Sequence, residues 1–581
     1  MSLFDESQIQ GLFVKRVRIL FYLVLFLFVI FLWRIAVWTL FHQNYYQELA
    51  KSNFIHPQRL DAPRGKIISR DGHFLAVNRT TYSISISPFG VNKTELHKTI
   101  QYLESVLAAD FSQKEQEADA LRPRWQRILL ARNLSLETIA PILEREWDLP
   151  GLRISSDFKR YYPAGPSAAH VAGYLGYITQ DKLKNYLDQG YVRDDLVGIA
   201  GIEYTYQELL KGIPGEEIVQ RDARGRYCAT LETNPSVPGH DLHLTLDLDF
   251  QKYAESRMNW RNGVILVANP ENGDVYVMVS IPSYDSNNPS SARDSSQSLS
   301  FLNKSIQEQY LPASTFKLVT AMGGLEAGLR PESKFLCEGY YYLPEWKRPF
   351  KCDTLSGHGK IDLYEAIKYS CNIYFYQDVQ TQGAPHFLEW ALHFGYGART
   401  GIDLPFEIPG DLPIHSADSL VPGDLLNLSI GQGHISATPL QVLQSYCIFA
   451  SVGRIVPPHL LKYFVDAEGK RKDFIPGSWQ VPMRFENYQA VLKGLIDVVN
   501  APGGTAYQAG FPLEWKVAGK TGTAERKEKS DAWFVCFAPY DAPEVAVLVF
   551  IEEAGFGGSG AGPVAKDILD YYFLNHSRFR N

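Results

Sequence analysis

Ser314 and Lys317 stand three residues apart in "YLPASTFKLVTA" (310–321), behind a proline and at the head of an apolar run. On a helix that spacing puts the hydroxyl and the amine on one face, a turn apart. A neutral amine so placed takes the hydroxyl proton and leaves an oxygen nucleophile, the opening step of covalent catalysis. The spacing alone decides nothing, because Ser156 and Lys159 repeat it in "SSDFKRYY" without a helical pattern. Two further clusters follow in order. Ser370-Cys371-Asn372 ends the helical stretch "LYEAIKYS", and Lys520-Thr521-Gly522-Thr523 lies in a strand-like run. Ser286 and Asn288 supply a decoy for the second cluster. Singly, each residue fits ordinary structure: a helix-start serine, a surface lysine, a capping asparagine. Lys317, however, precedes "LVTAM", where a purely solvated lysine is less natural.

The surrounding patterns say what must hold these clusters together. "DLHLTLDLDFQKYAE" reads as a strand running into a helix, and "GVILVANPENGDVYVMVSIPSYD" as two strands around an Asn272-Gly273 turn. A largely helical stretch runs from about Leu302 to Tyr446. Three strands follow, "EWKVAGKTGTAE", "DAWFVCFAP" and "EVAVLVFIEE", then a last helix, "GPVAKDILDYYFLN". Strands at both ends with helices between predict an antiparallel α/β sheet closed by sequence-distant pieces, with a helical lobe beside it. The cleft between sheet and lobe is where the three clusters should meet.

A chain of 581 residues, 45% hydrophobic, supports roughly three or four domain-sized units. Its net charge of −7 argues against nucleic acid as a partner. Six cysteines are too few for a disulfide scaffold. From Ile19 to Phe41 the chain carries no charge except Arg34, and the run from Val17 to Phe41 is long enough for a bilayer that needs ~20 apolar residues. Arg34 lies near the far end, where its stem can snorkel, and Trp33 and Trp38 suit an interface. Lys15, Arg16 and Arg18 precede the run, so the positive-inside rule predicts a cytoplasmic tail (1–16), an uncleaved single-pass anchor (17–41) and everything else outside.

Residues 42–240 offer no convergent nucleophile, base and orienting group, and read as a scaffold module. "RDG" marks a turn between short strands, "YSISISP" (82–88) alternates with period two, and 93–148 reads as helical and charge-rich.

The ordered set Ser314-x-x-Lys317, Ser370-x-Asn372 and Lys520-Thr521-Gly522 resembles the penicillin-binding family of serine acyl-transferases. "PRGKIISRDG" and "GIEYTYQELLKG" look like the class B pedestal and its linking segment, and "LNLSIGQGHISATPLQ" (426–441) like a stretch of the transpeptidase domain. Residues 337–376 look most like the elongation branch, penicillin-binding protein 2, with septal enzymes the runner-up. The resemblance implies an elongated α+β pedestal over 42–240 and a transpeptidase domain over 241–581.

It also implies roles. Ser314 attacks the penultimate D-alanine carbonyl of a stem peptide ending in D-Ala-D-Ala, and β-lactams acylate the same hydroxyl. Lys317 is the base, depressed by burial and by the nearby Lys520 cation; lowering a lysine from ~10.4 toward 7 costs about 4 to 5 kcal/mol. Ser370 relays the proton, and Asn372 fixes Lys317 and the substrate backbone. Lys520, Thr521 and Thr523 suit the terminal carboxylate, and Gly522 lets the substrate lie along the strand. The N–H groups of Ser314 and Thr523 form the oxyanion hole. A SEDS-type membrane glycosyltransferase and a periplasmic scaffold are the implied partners, and the bacterial inner membrane the implied location.

Rivals remain. A hydrolase needs a water-activating base, and no Glu-x-x-Leu-Asn pattern lies between Asn372 and Lys520. A silent scaffold is disfavoured by the intact Ser314, Lys317, Asn372 and Lys520, and a sensor by the short tail before the anchor.

Cys337, Cys352, His358 and Cys371 complete the inventory. Three thiols and one imidazole suit a closed tetrahedral zinc shell. The elongation branch resembles this with Asp, Asp, His and Cys at the same gaps, so two carboxylates are cysteines here, which favours soft zinc binding. A Cys337–Cys352 disulfide and plain buried thiols are the alternatives. Cys228, Cys447 and Cys536 read as core residues. The chemistry itself calls for no cofactor.

Overall fold

The computed structural model describes residues 6–41, 55–88, 91–120, 128–178, 191, 195–221, 227–292, 298–344, 346, 348–414, 420–526 and 529–575. One helix spans Glu6–Phe41, and its stretch Phe13–Leu40 is long and apolar enough to cross a bilayer. Arg34, toward the end of that stretch, lies 5.4 Å from the Trp38 ring, one helical turn on. The pairing shields the cation on the side where a headgroup region would begin.

The chain folds into two compact units. The first comprises residues 1–62, 80–158 and 213–237. Its small three-stranded sheet pairs Ile55–Leu60 with Gly215–Arg221 and the latter with Tyr227–Asn234. Its core gathers Ile84 and Ile86 from the alternating run, Leu96, Ile100 and Leu103 from the helix Lys93–Leu107, and Ile139 and Ile142 from the helix Leu136–Leu143. The expectation of an all-helical 93–148 fails over Ile128–Leu134, a strand paired with Tyr82–Ile86. Its sequence, "ILLARNL", is a short apolar run that periodicity cannot tell from helix; an unpaired edge of the alternating strand decides it.

The second unit comprises residues 63–79, 159–212 and 238–581. The chain passes between the two units several times. The two stretches that carried the pedestal resemblance meet inside this second unit. Arg64 and Arg160 both bind the wholly buried Glu203, through Arg64 Nη2 at 2.7 Å and Arg160 Nε at 2.6 Å. Arg64 also donates to Gln207, and Asn78 links the two arginines. A buried carboxylate is tolerable only with such partners.

The second unit is built on a five-stranded antiparallel sheet. Its strands are β1 (Gly263–Ala268), β2 (Val275–Ile281), β3 (Ala518–Arg526), β4 (Lys529–Ala538) and β5 (Val545–Ile551), in the order β2-β1-β5-β4-β3. Every residue of β1 and β5 is buried. Continuous apolar runs of this kind belong to strands covered on both faces. The helices Leu248–Met258 and Gly562–Asn575 pack together through stacked Phe250 and Tyr571. The Asn272-Gly273 turn exists but is not a two-residue hairpin. Residues 269–274 form the connection, in which Asn269 Oδ1 accepts from the N–H groups of Glu271 and Asn272, and only Gly273 takes positive φ.

Four helices position the site: α1 (Lys317–Glu326), α2 (Asn372–Gln382), α3 (Pro439–Ala450) and α4 (Phe485–Asn500). α3 opens with a capping box between Thr438 and Gln441, with Pro439 at its first turn. α1 begins at Lys317 and α2 directly at Asn372, so each of these two lobe helices starts with a residue of the expected clusters.

Candidate active site

Ser314 does not sit on an α-helix. Residues Ala313–Phe316 form a 3-10 turn, and α1 begins at Lys317. The turn is held from three sides. Ala313, left-handed at φ 50°, donates its N–H to Gly431 O at 2.9 Å. Thr315 Oγ1 donates to Pro312 O, and the buried Tyr446 hydroxyl of α3 donates to Thr315 O at 2.9 Å. Gly431 itself has φ +71°, and a Cβ there would lie 2.2 Å from Ala313 O. A left-handed alanine costs of order 1–3 kcal/mol and persists only where its surroundings over-determine it. The result is that Ala313, Thr315, Phe316 and Lys317 are buried while Ser314 is partly exposed.

The side chain of Lys317 is buried and fully engaged. Its Nζ donates to Asn372 Oδ1 at 2.6 Å, to Ser370 O at 2.6 Å and to Ser370 Oγ at 3.1 Å. Ser370, left-handed at φ 57°, turns the chain between the helix Leu363–Lys368 and α2, which brings its carbonyl and hydroxyl to the same amine. The first two clusters therefore meet as expected. In this resting geometry Ser314 is not among the hydrogen-bond partners of Lys317.

Lys520, on β3, is also buried and donates to Thr521 O. Burial lowers the Lys317 amine, opposed by Asp353, Cys371 and Cys352. Lys520 is held well below the ordinary lysine range, by burial first and then by the charge of Lys317. The two buried amines repel each other, so a charge on one disfavours a charge on the other. Asp353 is the anion common to both amines, and its Oδ1 accepts from Asn372 Nδ2 at 3.3 Å. Sequence reasoning missed it; its position beside Cys352 was the available signal.

β3 is the edge of the sheet, paired only with β4. A Cβ at Gly522 would lie 3.0 Å from Thr315 Cγ2 and 3.4 Å from Pro312 O. The missing side chain thus lets the strand approach the serine turn, a packing reason distinct from the expected room for substrate. The two threonine hydroxyls already have protein partners. Thr521 Oγ1 lies 2.7 Å from Thr505 Oγ1, and Thr523 Oγ1 accepts from Gly557 N–H at 3.3 Å. Neither Thr505 nor Tyr446 was distinguishable in sequence from other polar core residues. The decoys separate cleanly. Ser156 and Lys159 lie on the strand Leu152–Tyr161, where residues three apart point to opposite faces, and Ser286 and Asn288 follow β2.

The four metal candidates converge. Cys337 ends the strand Phe335–Cys337, Cys352 follows Phe350–Lys351, His358 precedes Gly359–Ile361, and Cys371 caps α2. Cys337 Sγ and Cys352 Sγ each lie 3.5 Å from His358 Nδ1, and Cys352 Sγ lies 3.8 Å from Cys371 Sγ. A tetrahedral shell with Zn–S of about 2.3 Å and Zn–N of about 2.0 Å has edges of about 3.8 Å and 3.5 Å. The donor set therefore fits zinc in type and spacing. Cys337, Cys352 and Cys371 are free thiols, so the Cys337–Cys352 disulfide is not formed. The contact with Cys371 lowers the Cys352 thiol, opposed by burial and aided by the N–H groups of Thr354 and Asn372. Cys536 is buried and Cys447 half-buried, both with thiols pushed up by burial. The Cys228 side chain lies outside the described residues.

Comparison with known proteins matches this architecture. The penicillin-binding protein transpeptidase domain covers residues 263–570, and the penicillin-binding protein dimerisation domain residues 59–244. The chain belongs to the penicillin-binding protein transpeptidases. Among its relatives is the peptidoglycan D,D-transpeptidase MrdA of Haemophilus influenzae, 32% identical over 98% of this chain and 93% of that protein. Penicillin-binding protein 2 of Helicobacter pylori, solved in complex with MreC, superposes with a TM-score of 0.78 at 27% identity, over 90% of this chain and 100% of that one. A chain of a peptidoglycan synthase complex that coordinates polymerization and crosslinking superposes at 0.71 with 26% identity, over 98% and 99%.

Proposed function

We propose that this chain is the elongation-type peptidoglycan D,D-transpeptidase of its cell, working through an acyl-enzyme at Ser314. The observation that carries the reading is the Lys317 amine, buried beneath the serine turn and shared by Ser370 and Asn372. As an ammonium, Lys317 spends all three protons on those acceptors. Once neutral, it keeps two donors and gains a lone pair for the Ser314 proton. Ser314 Oγ then bonds to the penultimate D-alanine carbonyl carbon, and the oxyanion is stabilised by the N–H groups of Ser314 and Thr523. Collapse breaks the amide bond, and the leaving D-alanine nitrogen receives its proton through Ser370. The acceptor amine attacks the ester, its proton returns to the lysine side, and Ser314 is released. The ester conserves the energy of the broken amide, so no nucleotide is spent. Lys520 offers the positive field for the terminal carboxylate. Thr521 and Thr523 reach that carboxylate by exchanging their present partners, Thr505 and the Gly557 N–H.

Likeness to MrdA over nearly the whole chain supports elongation over septation. By the same relationship, a membrane glycosyltransferase and an MreC-like scaffold are the proposed partners. Lys15, Arg16 and Arg18, at the N-terminal end of the apolar stretch, support a cytoplasmic N-terminus, a single span of the inner membrane and a catalytic unit outside. The Cys337, Cys352, His358 and Cys371 shell is proposed to hold a structural zinc, which would brace the Ser370–Asn372 segment and take no part in acyl transfer.

The test is product analysis on the full chain in detergent, with a donor pentapeptide ending in D-Ala-D-Ala and an acceptor stem peptide. The reading predicts a peptide dimer together with free D-alanine. Free D-alanine with only hydrolysed donor would make the protein a carboxypeptidase instead.

A further inference from the structure

α2 carries a carboxyl group that the acyl-transfer chemistry leaves unused. Asp378 is wholly buried, and its Oδ2 has no hydrogen-bond partner. Its Oδ1 accepts only from Gln382 Nε2, at 3.2 Å. No lysine, arginine or histidine pairs with it among the described residues. Burial pushes the carboxyl well above its ordinary range, opposed only by Gln382. Burying such a group without full partners is unfavourable, and an apolar residue would fill the place more cheaply.

The side chain faces α1. A Cβ at Gly324 would fall 2.1 Å from Asp378 Oδ1, and one at Gly323 would fall 2.4 Å from Gln382 Oε1. Gln382 Nε2 donates to Thr320 O as well as to Asp378. Thr320 Oγ1 in turn donates to Ser429 O. Asp378 and Gln382, four residues apart, thus share the face of α2 that lies on the glycine pair of α1.

We propose that Asp378, acting through Gln382, is a positioning residue for Lys317, steadying a second tie between α1 and α2, the hydrogen bond from Gln382 Nε2 to Thr320 O. The first tie is the hydrogen bond from Lys317 to Asn372 at the two helix starts. Alone, that contact is a pivot. With the second tie three residues and about 4.5 Å along α1, the angle between the helices is fixed, and so is the place of the amine against Ser370 and Asn372. This rests on the reading of Ser314 as the nucleophile.

The experiment is time-resolved acylation of the full chain by a fluorescent penicillin over a range of concentrations, separating non-covalent affinity from the acylation step. Asp378→Asn, which keeps size and hydrogen bonding, should acylate within about twofold of the unchanged protein, whereas Asp378→Ala should acylate about tenfold more slowly at unchanged affinity. Gln382→Met, which conserves volume, should behave like Asp378→Ala and carries the test if the alanine variant does not fold. Unchanged acylation rates in the folded variants would overturn the proposal. So would an Asn variant as slow as the Ala variant. Ser314→Ala run alongside separates the two readings, since adduct formation on that variant would remove the nucleophile assignment whatever the Asp378 series shows.

Discussion

The Nζ of Lys317 stands 2.6 Å from Oδ1 of Asn372, joining residues 55 apart in the chain. An amine so deeply buried is lowered from the ordinary lysine range, and the Asp353 carboxylate is what resists that lowering. The base must be neutral to act, so acylation should rise with pH through the depressed Lys317 value and then level off. Asp353→Asn removes the anion that holds both Lys317 and Lys520 up. The acidic limb of the acylation profile should therefore move to lower pH. A limb that stays in place or moves upward would contradict this assignment.

The serine turn is braced by close backbone approach, which makes its glycines testable. Gly431→Ala puts a methyl 2.2 Å from Ala313 O at a positive φ; it should cost about 3 kcal/mol or more and abolish acylation. Gly522→Ala meets Thr315 Cγ2 at 3.0 Å, a neighbour that can give slightly. It should cost about 1 kcal/mol by thermal unfolding while slowing acylation severalfold, because the displaced group adjoins the nucleophile. Equal stability for both variants would show the turn to be looser than its geometry.

Metal removal addresses the cysteine shell. Elemental analysis of the purified chain should find about one zinc per molecule, and Cys352→Ser should lower both zinc content and melting temperature. Acylation should fall only in proportion to unfolding if the proposed zinc is structural alone. Metal-free protein of unchanged stability would return these residues to plain buried thiols.

His170 supplies an acid-sensitive point away from the cleft. Burial lowers its imidazole from 6.5 to about 4, offset partly by Pro282 O. The unfolded chain therefore binds this proton first as pH falls. The stability contribution is whole above about pH 6.5 and is lost progressively toward pH 4, amounting to about 3 kcal/mol. His170→Gln should flatten the fall of melting temperature across that window, and an unchanged slope would count against it.

How far the sequence carried this reading depended on the kind of signal. The meeting of Lys317, Ser370 and Asn372 was legible because side-chain chemistry in a fixed order is rarely accidental, whereas the 3-10 turn that carries Ser314 in place of a helix was not. The convergence of Cys337, Cys352, His358 and Cys371 was legible from their residue types and gaps. Asp353 was not, since it reaches the amines only after the segment from Cys337 to Asn372 folds back on itself. Tyr446 acts on a backbone carbonyl 131 positions away, a partnership that leaves no local pattern. The strand Ile128–Leu134 was read as helix because a short apolar run carries no period of its own. Gly522 was explained by substrate where packing against Thr315 also demands it. Conformation-dependent contacts, rather than residue types, were what stayed hidden.

The most direct measurement is the mass of the penicillin adduct and its position in the chain. The full protein should gain one penicilloyl group located on Ser314, and Ser314→Ala should gain none while melting at the same temperature. An adduct of equal yield on the alanine variant, or one mapped to any other residue, would contradict the account.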